Sequence, residues 1–153
     1  SRLAAKFGVS LARMMLRLGF LPVDVVGRSV GLVSCDEAGA LLLRKPLDGF
    51  PMPRFGAACP LWPLFRALHR PMEPLSYTVE TPSGRQFKTF SFAAPLASAS
   101  FEAPPAFRST MLVIDLGEGA VATDNPLRVG MACRTCAHQG CAVRREPSIL
   151  DSK

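Results

Sequence analysis

The chain has 153 residues, of which 48% are hydrophobic and 20% charged, a balance that excludes a disordered chain and suits one domain with a real core. Its 14 prolines argue against a helical bundle and for short strands and loops. A net charge of +6 favours an anionic partner: nucleic acid, a phosphate-bearing metabolite or a membrane surface. The cations are scattered, with Arg144-Arg145 as the tight pair, so the default is a solvated basic surface.

From the N-terminus, Ser10 caps a predicted helix running through Leu18, with Gly19 as its stop and Pro22 beyond. Phe7, Leu11, Met14 and Leu18 recur at helical spacing, so one face is buried, as core or as an interface. Val23 to Val33 is β-rich, with Gly27 and Gly31 marking a bulge or a close approach. Asp36-Glu37-Ala38-Gly39 reads as a turn, and Ala40 to Lys45 as the returning strand of a hairpin. Residues 46–56 are a proline- and glycine-studded loop. Pro60 suits the first turn of a helix whose apolar face is Leu61, Trp62, Leu64, Phe65 and Leu68. Strands follow over Leu75 to Thr81 and Arg85 to Phe92, joined by a turn at Thr81-Pro82-Ser83-Gly84. Residues 93–106 read as a flexible connection, Ser109 to Leu116 as the most hydrophobic strand, and 117–130 as a loop before a cysteine-rich tail.

This order predicts an α+β domain. Two strands, a helical crossover and three antiparallel strands resemble the plan of PAS and GAF sensor domains, an antiparallel sheet with flanking helices that cups a small-molecule pocket. Residues 1–22 read as an N-terminal helical segment, the end of a preceding module or an interface helix. Residues 23–153 read as the sensory domain, with the cysteine-rich tail at 133–145. Ser at position 1 suggests a fragment or a processed chain.

The tail carries the sharpest chemistry. Cys133, Cys136 and Cys141 form C-x2-C-x4-C, three of the five cysteines within nine residues. A C-x2-C turn lets two thiolates converge on one ion, and structural zinc takes four tetrahedral ligands. Cys59 is the expected fourth donor, with His138 as an alternative. A metal-free thiol cluster, redox-active or simply packed, remains open beside zinc, whereas the spacing matches neither common ferredoxin pattern. Cys35, at a strand end, reads as core. Cys59-Pro60 has the form of a haem-regulatory dipeptide, but Pro60 is explained by its helix position. An odd cysteine count with three crowded together argues for a reducing cytoplasm over a secreted disulfide scaffold. Residues 2–22 lack the uninterrupted apolar core of a secretory signal, and no run approaches the roughly 18 apolar residues that span a bilayer.

Three segments resemble one bacterial family. Gly56-Ala57-Ala58-Cys59-Pro60-Leu61-Trp62, continuing to Ala67, is similar to the G-x-x-C-P-x-W-x-x-x-x-A block of the short-chain fatty acyl-CoA regulators, transcription factors with an XRE-type helix-turn-helix. Cys133-Arg134-x-Cys136 through Cys141-x-x-Arg144 resembles their terminal C-R-x-C-x-R-x-x-C-x-x-R signature. Phe7-Gly8-Val9-Ser10 leading to Arg17-Leu18 is similar to the end of the metallopeptidase-like module before their C-terminal domain. The chain departs from the pattern at His138, where the family usually has Arg, at Val143 to Ser148, and at Leu116-Gly117-Glu118, where a thiol often follows.

The resemblance implies a C-terminal sensory domain that binds a short-chain acyl-CoA and acts on DNA only through a domain outside this chain, in a homodimer without membrane attachment. Trp62 and Phe65, core residues by default, are then expected to line the acyl pocket. Arg44, Arg54 and Arg134 are expected to hold the coenzyme A phosphates, because guanidinium bonds phosphate in bidentate fashion. Catalysis finds little support: there are two histidines, His69 and His138, no H-E-x-x-H, G-x-S-x-G or P-loop, and only Asp115 and Glu118 as carboxylates flanking a strand end. The competing expectation is a zinc-stapled dimerisation or interaction module without a small-molecule ligand.

Overall fold

The computed structural model describes residues 2–98, 100–117 and 124–150. Three helices lead in: α1 (Arg2–Lys6), α2 (Leu11–Phe20) and α3 (Val23–Val26). The hairpin β1 (Val30–Asp36) and β2 (Leu41–Lys45) follows, then α4 (Pro63–Leu68) and the strands β3 (Leu75–Glu80), β4 (Gln86–Pro95), β5 (Phe107–Asp115) and β6 (Leu127–Arg128). They form one mixed α+β unit around a six-stranded sheet in the order β2-β1-β5-β4-β3-β6. Neighbours are antiparallel except β6, which adds to β3 in parallel. Among the described residues no helix is long and apolar enough to cross a membrane.

Ser10 caps α2 as expected, accepting a hydrogen bond from the Arg13 N–H at 3.3 Å. Gly19 is not the stop; the helix runs one residue further. What the missing side chain provides is closeness: a Cβ there would lie 2.7 Å from Leu32 Cδ2. Lys45 Nζ donates to the Gly19 carbonyl at 2.6 Å and fastens this end of α2 to β2.

The β-rich reading of residues 23–33 is corrected at its start. Pro22 precedes a turn of helix with Asp24 in it, and Gly27, at φ 77°, closes that turn in the left-handed region. Local capping overrides the strand preference of the valines, and β1 begins at Val30. Gly31 is a close approach, since a Cβ there would sit 2.9 Å from Leu47 Cβ. The hairpin turn matches expectation: the Asp36 carboxylate accepts from the Ala40 N–H at 2.8 Å, and Gly39 takes φ 83°.

The crossover helix starts at Pro63, three residues later than Pro60 predicts. Pro63 occupies the first turn, where its absent N–H is no loss, and Trp62 stands at the N-cap. β4 continues to Pro95, paired with Phe107, so the first three residues of the expected flexible connection are strand. The short β6 was not expected from sequence.

The strand register sorts side chains onto two faces. Val33, Met111, Phe87 and Val113 lie under α4 with Trp62, Leu64 and Phe50. Val30, Leu32, Phe92 and Leu112 lie under α2 with Met15, Leu11 and Leu18.

Candidate functional site

The tail is pinned to the segment before α4. The Cys59 N–H donates to the Met131 carbonyl at 2.8 Å, the Trp62 indole N–H to the Gly130 carbonyl at 2.8 Å, and the Val129 N–H to Glu80 at 2.9 Å. Gly130 sits between two sulfurs: its N–H points to Cys59 Sγ at 3.4 Å, and a Cβ on it would lie 2.6 Å from Cys136 Sγ. Cys59, Cys136 and Cys141, with His138 and Arg128, wall a cavity of about 230 Å³. Cys133 opens a 3-10 turn, Cys133–Thr135, and its sulfur accepts the Arg145 N–H at 3.5 Å.

Burial pushes the Cys59 thiol pKa up, and the neighbouring Cys136 and Cys133 add to this, against hydrogen bonds from the Gly130 and Leu61 backbone. The fold thus places Cys59 beside the tail cysteines. All five cysteines are free thiols. The donor set is of the kind zinc takes, but the arrangement is not a coordination shell: among the described residues no group of three or more His, Cys, Asp or Glu side chains is placed to hold a metal ion. One ring nitrogen of His138, Nε2, lies 3.3 Å from the Val129 carbonyl oxygen, a hydrogen bond in the tautomer that protonates it.

Arg144 organises this seam. Its guanidinium donates to the carbonyls of Cys133 at 3.0 Å, Cys136 at 3.4 Å and His138 at 2.5 Å. A planar fork collects these carbonyls from two separate nitrogens held in one rigid plane, a spread that the single nitrogen of a lysine does not reproduce. The terminal Arg of the cysteine signature pointed at this residue without disclosing its role. Cys35 is apart from the group and fully buried, its pKa pushed to about 12 by burial and by Asp36.

The residues expected to hold a ligand are not gathered. Trp62 is fully buried, 5.4 Å from Phe50 and stacked at 6.4 Å on Phe65, in the filled core beneath α4. Arg44 is exposed on β2, Arg54 in the loop before Cys59, and Arg134 in the tail. Space lies instead under α2. Leu11, Met14 and Leu18 face Phe90, Phe92 and Ile114 across a cavity of about 480 Å³. A second hollow of about 570 Å³ shares Leu3, Met14 and Leu18 and adds Phe7, Arg13 and Arg17. The helical stripe of Leu11, Met14 and Leu18 was visible in the sequence, but spacing alone reads it as core.

Asp115 is structural. Burial raises its pKa, but the Gly117 N–H at 3.0 Å and Arg85 at 2.5 Å more than offset this and hold the carboxyl below its usual range. Arg85 also bonds Asp48 at 2.9 Å. Glu118 lies outside the described residues.

Comparison with known proteins gives one consistent direction. A family profile described as "Short-chain fatty acyl coenzyme A regulator, C-terminal" matches residues 27–152. A "Propionyl-CoA carboxylase regulator" of Cereibacter sphaeroides is 30% identical over 159 residues, covering 97% of this chain and 34% of its own length. A solved "Mycobacterium tuberculosis transcriptional regulator" superimposes with a TM-score of 0.82 at 23% identity, over 99% of this chain and 49% of that one. The chain thus spans about a third of the curated relative and about half of the solved structure.

Proposed function

The chain belongs to the short-chain fatty acyl coenzyme A regulator family, and from that membership we propose that it is the ligand-sensing domain of a transcription factor whose effector is a short-chain acyl-CoA. Family and structural neighbour are regulators, which points to a non-enzymatic role. DNA is contacted, in this proposal, through a domain outside residues 1–153. The observation that carries the ligand is a difference between the two faces of the sheet: Trp62, Leu64, Phe87 and Met111 beneath α4 are fully buried, while the face beneath α2 keeps about 480 Å³ of apolar space, within the range of small-molecule sites. The order β2-β1-β5-β4-β3 also suits the PAS/GAF-like plan. Calorimetric titration with propionyl-CoA, acetyl-CoA and free coenzyme A tests the proposal. Binding of a thioester in preference to free coenzyme A is expected; no heat with any thioester, in folded protein, rejects it. Regulation further requires unequal affinity for the active and inactive states, because equal binding shifts nothing.

Zinc is a separate proposal. Its support is four thiols on two segments drawn to one seam; its obstacle is that they do not form a coordination shell as they stand. Native mass spectrometry of the purified chain reads the metal content directly, and a mass equal to the bare polypeptide, from zinc-supplemented growth, removes zinc from the account. Free thiols fit a reducing cytoplasm, the compartment proposed here.

One observation favours the interaction-module alternative. Phe7 is 64% exposed and Phe20 55%, both on the N-terminal helical side. Met14 and Met15, on the Ser10-to-Leu18 helix whose apolar face the sequence offers as core or interface, are themselves buried, so an interface at this end of the chain would use exposed residues such as Phe7 and Phe20. Sedimentation of the chain and of Phe7→Glu decides: a dimer that Phe7→Glu dissociates supports the alternative.

A further inference from the structure

We infer that the cavity under α2 is the acyl-CoA site itself, with Leu11, Met14, Phe90 and Phe92 enclosing the acyl group and the Arg13–Arg17 pair holding the phosphates at its rim; this rests on the acyl-CoA reading above. The cavity interior is apolar, as a short alkyl chain requires, and none of its lining side chains is charged. The volume exceeds what a few carbons occupy, leaving room for part of the arm that links them to the phosphates. Register identifies a polar contact at the edge. Ser76 pairs with Phe90 on the neighbouring strand and shares its face, so its hydroxyl lies on the cavity side, within reach of an amide or thioester carbonyl. Ser91 pairs with Met111, which belongs to the α4 core, so its hydroxyl faces away.

The rim supplies the charge. Arg13 and Arg17 are one helical turn apart, exposed, and wall the hollow that shares Leu3, Met14 and Leu18 with the cavity. Neither is ion-paired with an acidic side chain among the described residues. Like charges at this spacing repel, and Arg13 stands near the helix N-terminus, where the macrodipole disfavours a cation. No acid in the first turn relieves either effect. A polyphosphate head relieves both and can accept paired N–H bonds from each guanidinium. An apolar hollow opening beside two unpaired arginines matches one occupant in both halves: a short acyl thioester with a phosphorylated carrier.

The test compares propionyl-CoA binding by the purified chain, by Arg13→Glu/Arg17→Glu, and by Met14→Trp, which fills the hollow. Circular dichroism and melting establish that each is folded. At least tenfold weaker binding by the double charge variant, with a shallower salt dependence, is expected; Met14→Trp should lose the preference for thioester over free coenzyme A. If Met14→Trp does not fold, the surface double variant decides alone. Wild-type affinity in that variant places the ligand elsewhere and overturns this site while leaving the acyl-CoA reading standing. No binding by the wild type overturns both. A wild-type dimer that Met14→Trp turns into a monomer shows a second copy to be the occupant, and likewise overturns it.

Discussion

The two faces of the sheet are built from similar residues and end in different states. Under α4, Trp62, Leu64, Phe87 and Met111 lose all contact with solvent. Under α2, Phe90 stays 40% exposed and Leu3 48%, and an apolar cavity persists between helix and sheet. Composition does not distinguish them, since both present Leu, Met and Phe. Placement does: α4 packs on β3, β4, β5 and β1, with Phe50 and the pinned tail closing its margins, whereas α2 packs on β1, β5 and part of β4. An apolar surface left open is a cost to a monomer, which is why the occupant is proposed for the face beneath α2 and not for the face beneath α4.

Measurement can break or sharpen this contrast. Trp62→Ala removes the centre of the filled face and the bond to Gly130, and should cost about 3–5 kcal/mol in denaturant unfolding. Met14→Ala, beside existing space, should fall near or below about 2 kcal/mol. Equal losses would mean that the faces do not differ in packing.

Alkaline pH should separate the thiols next. The Cys35 pKa rises in the fold from 9.0 to about 12, so its stabilisation is complete below pH 9 and is lost as pH climbs toward 12. Three pKa units correspond to about 4 kcal/mol at most. Wild type should therefore lose more stability than Cys35→Ala between pH 9 and the alkaline limit. Parallel curves would count against a buried Cys35. At neutral pH, Cys133 and Cys141 should react with a thiol reagent well before Cys35, because both are partly exposed.

Arg144→Ala leaves the carbonyls of Cys133, Cys136 and His138 without their shared donor. A loss of about 1–2 kcal/mol is expected, with earlier proteolysis in the tail and no rescue by Arg144→Lys. Arg85→Ala should show the smallest effect despite two carboxylate partners, because the pairs are solvent-facing and salt-screened. A melting shift exceeding that of Arg144→Ala would reverse the ranking.

Much of the fold was legible in the sequence for local reasons. Ser10 caps, Asp36 to Gly39 turns, Gly84 takes φ 81° between two strands, and each was readable from the chemistry of a few adjacent residues. The family was legible from the Cys59-to-Ala67 block and the cysteine tail. The errors arose where two local signals competed. Capping by Gly27 beat the β-preference of Val23 to Val26, and Pro63 beat Pro60 for the first helical turn. The neighbourhood of Cys59 and the tail followed from an incomplete donor set, but neither the role of Arg144 nor the missing coordination shell did.

The sequence by itself determined which residues are apolar, where the chain turns and which family the chain joins, because these depend on neighbours in the chain or on spacing. Only the tertiary structure decided that Trp62 fills a core while Met14 borders a cavity, and that Arg13 and Arg17, rather than Arg44, Arg54 and Arg134, stand beside that cavity. Those outcomes depend on where α2 and α4 lie across the sheet, which long-range packing sets and no local pattern encodes.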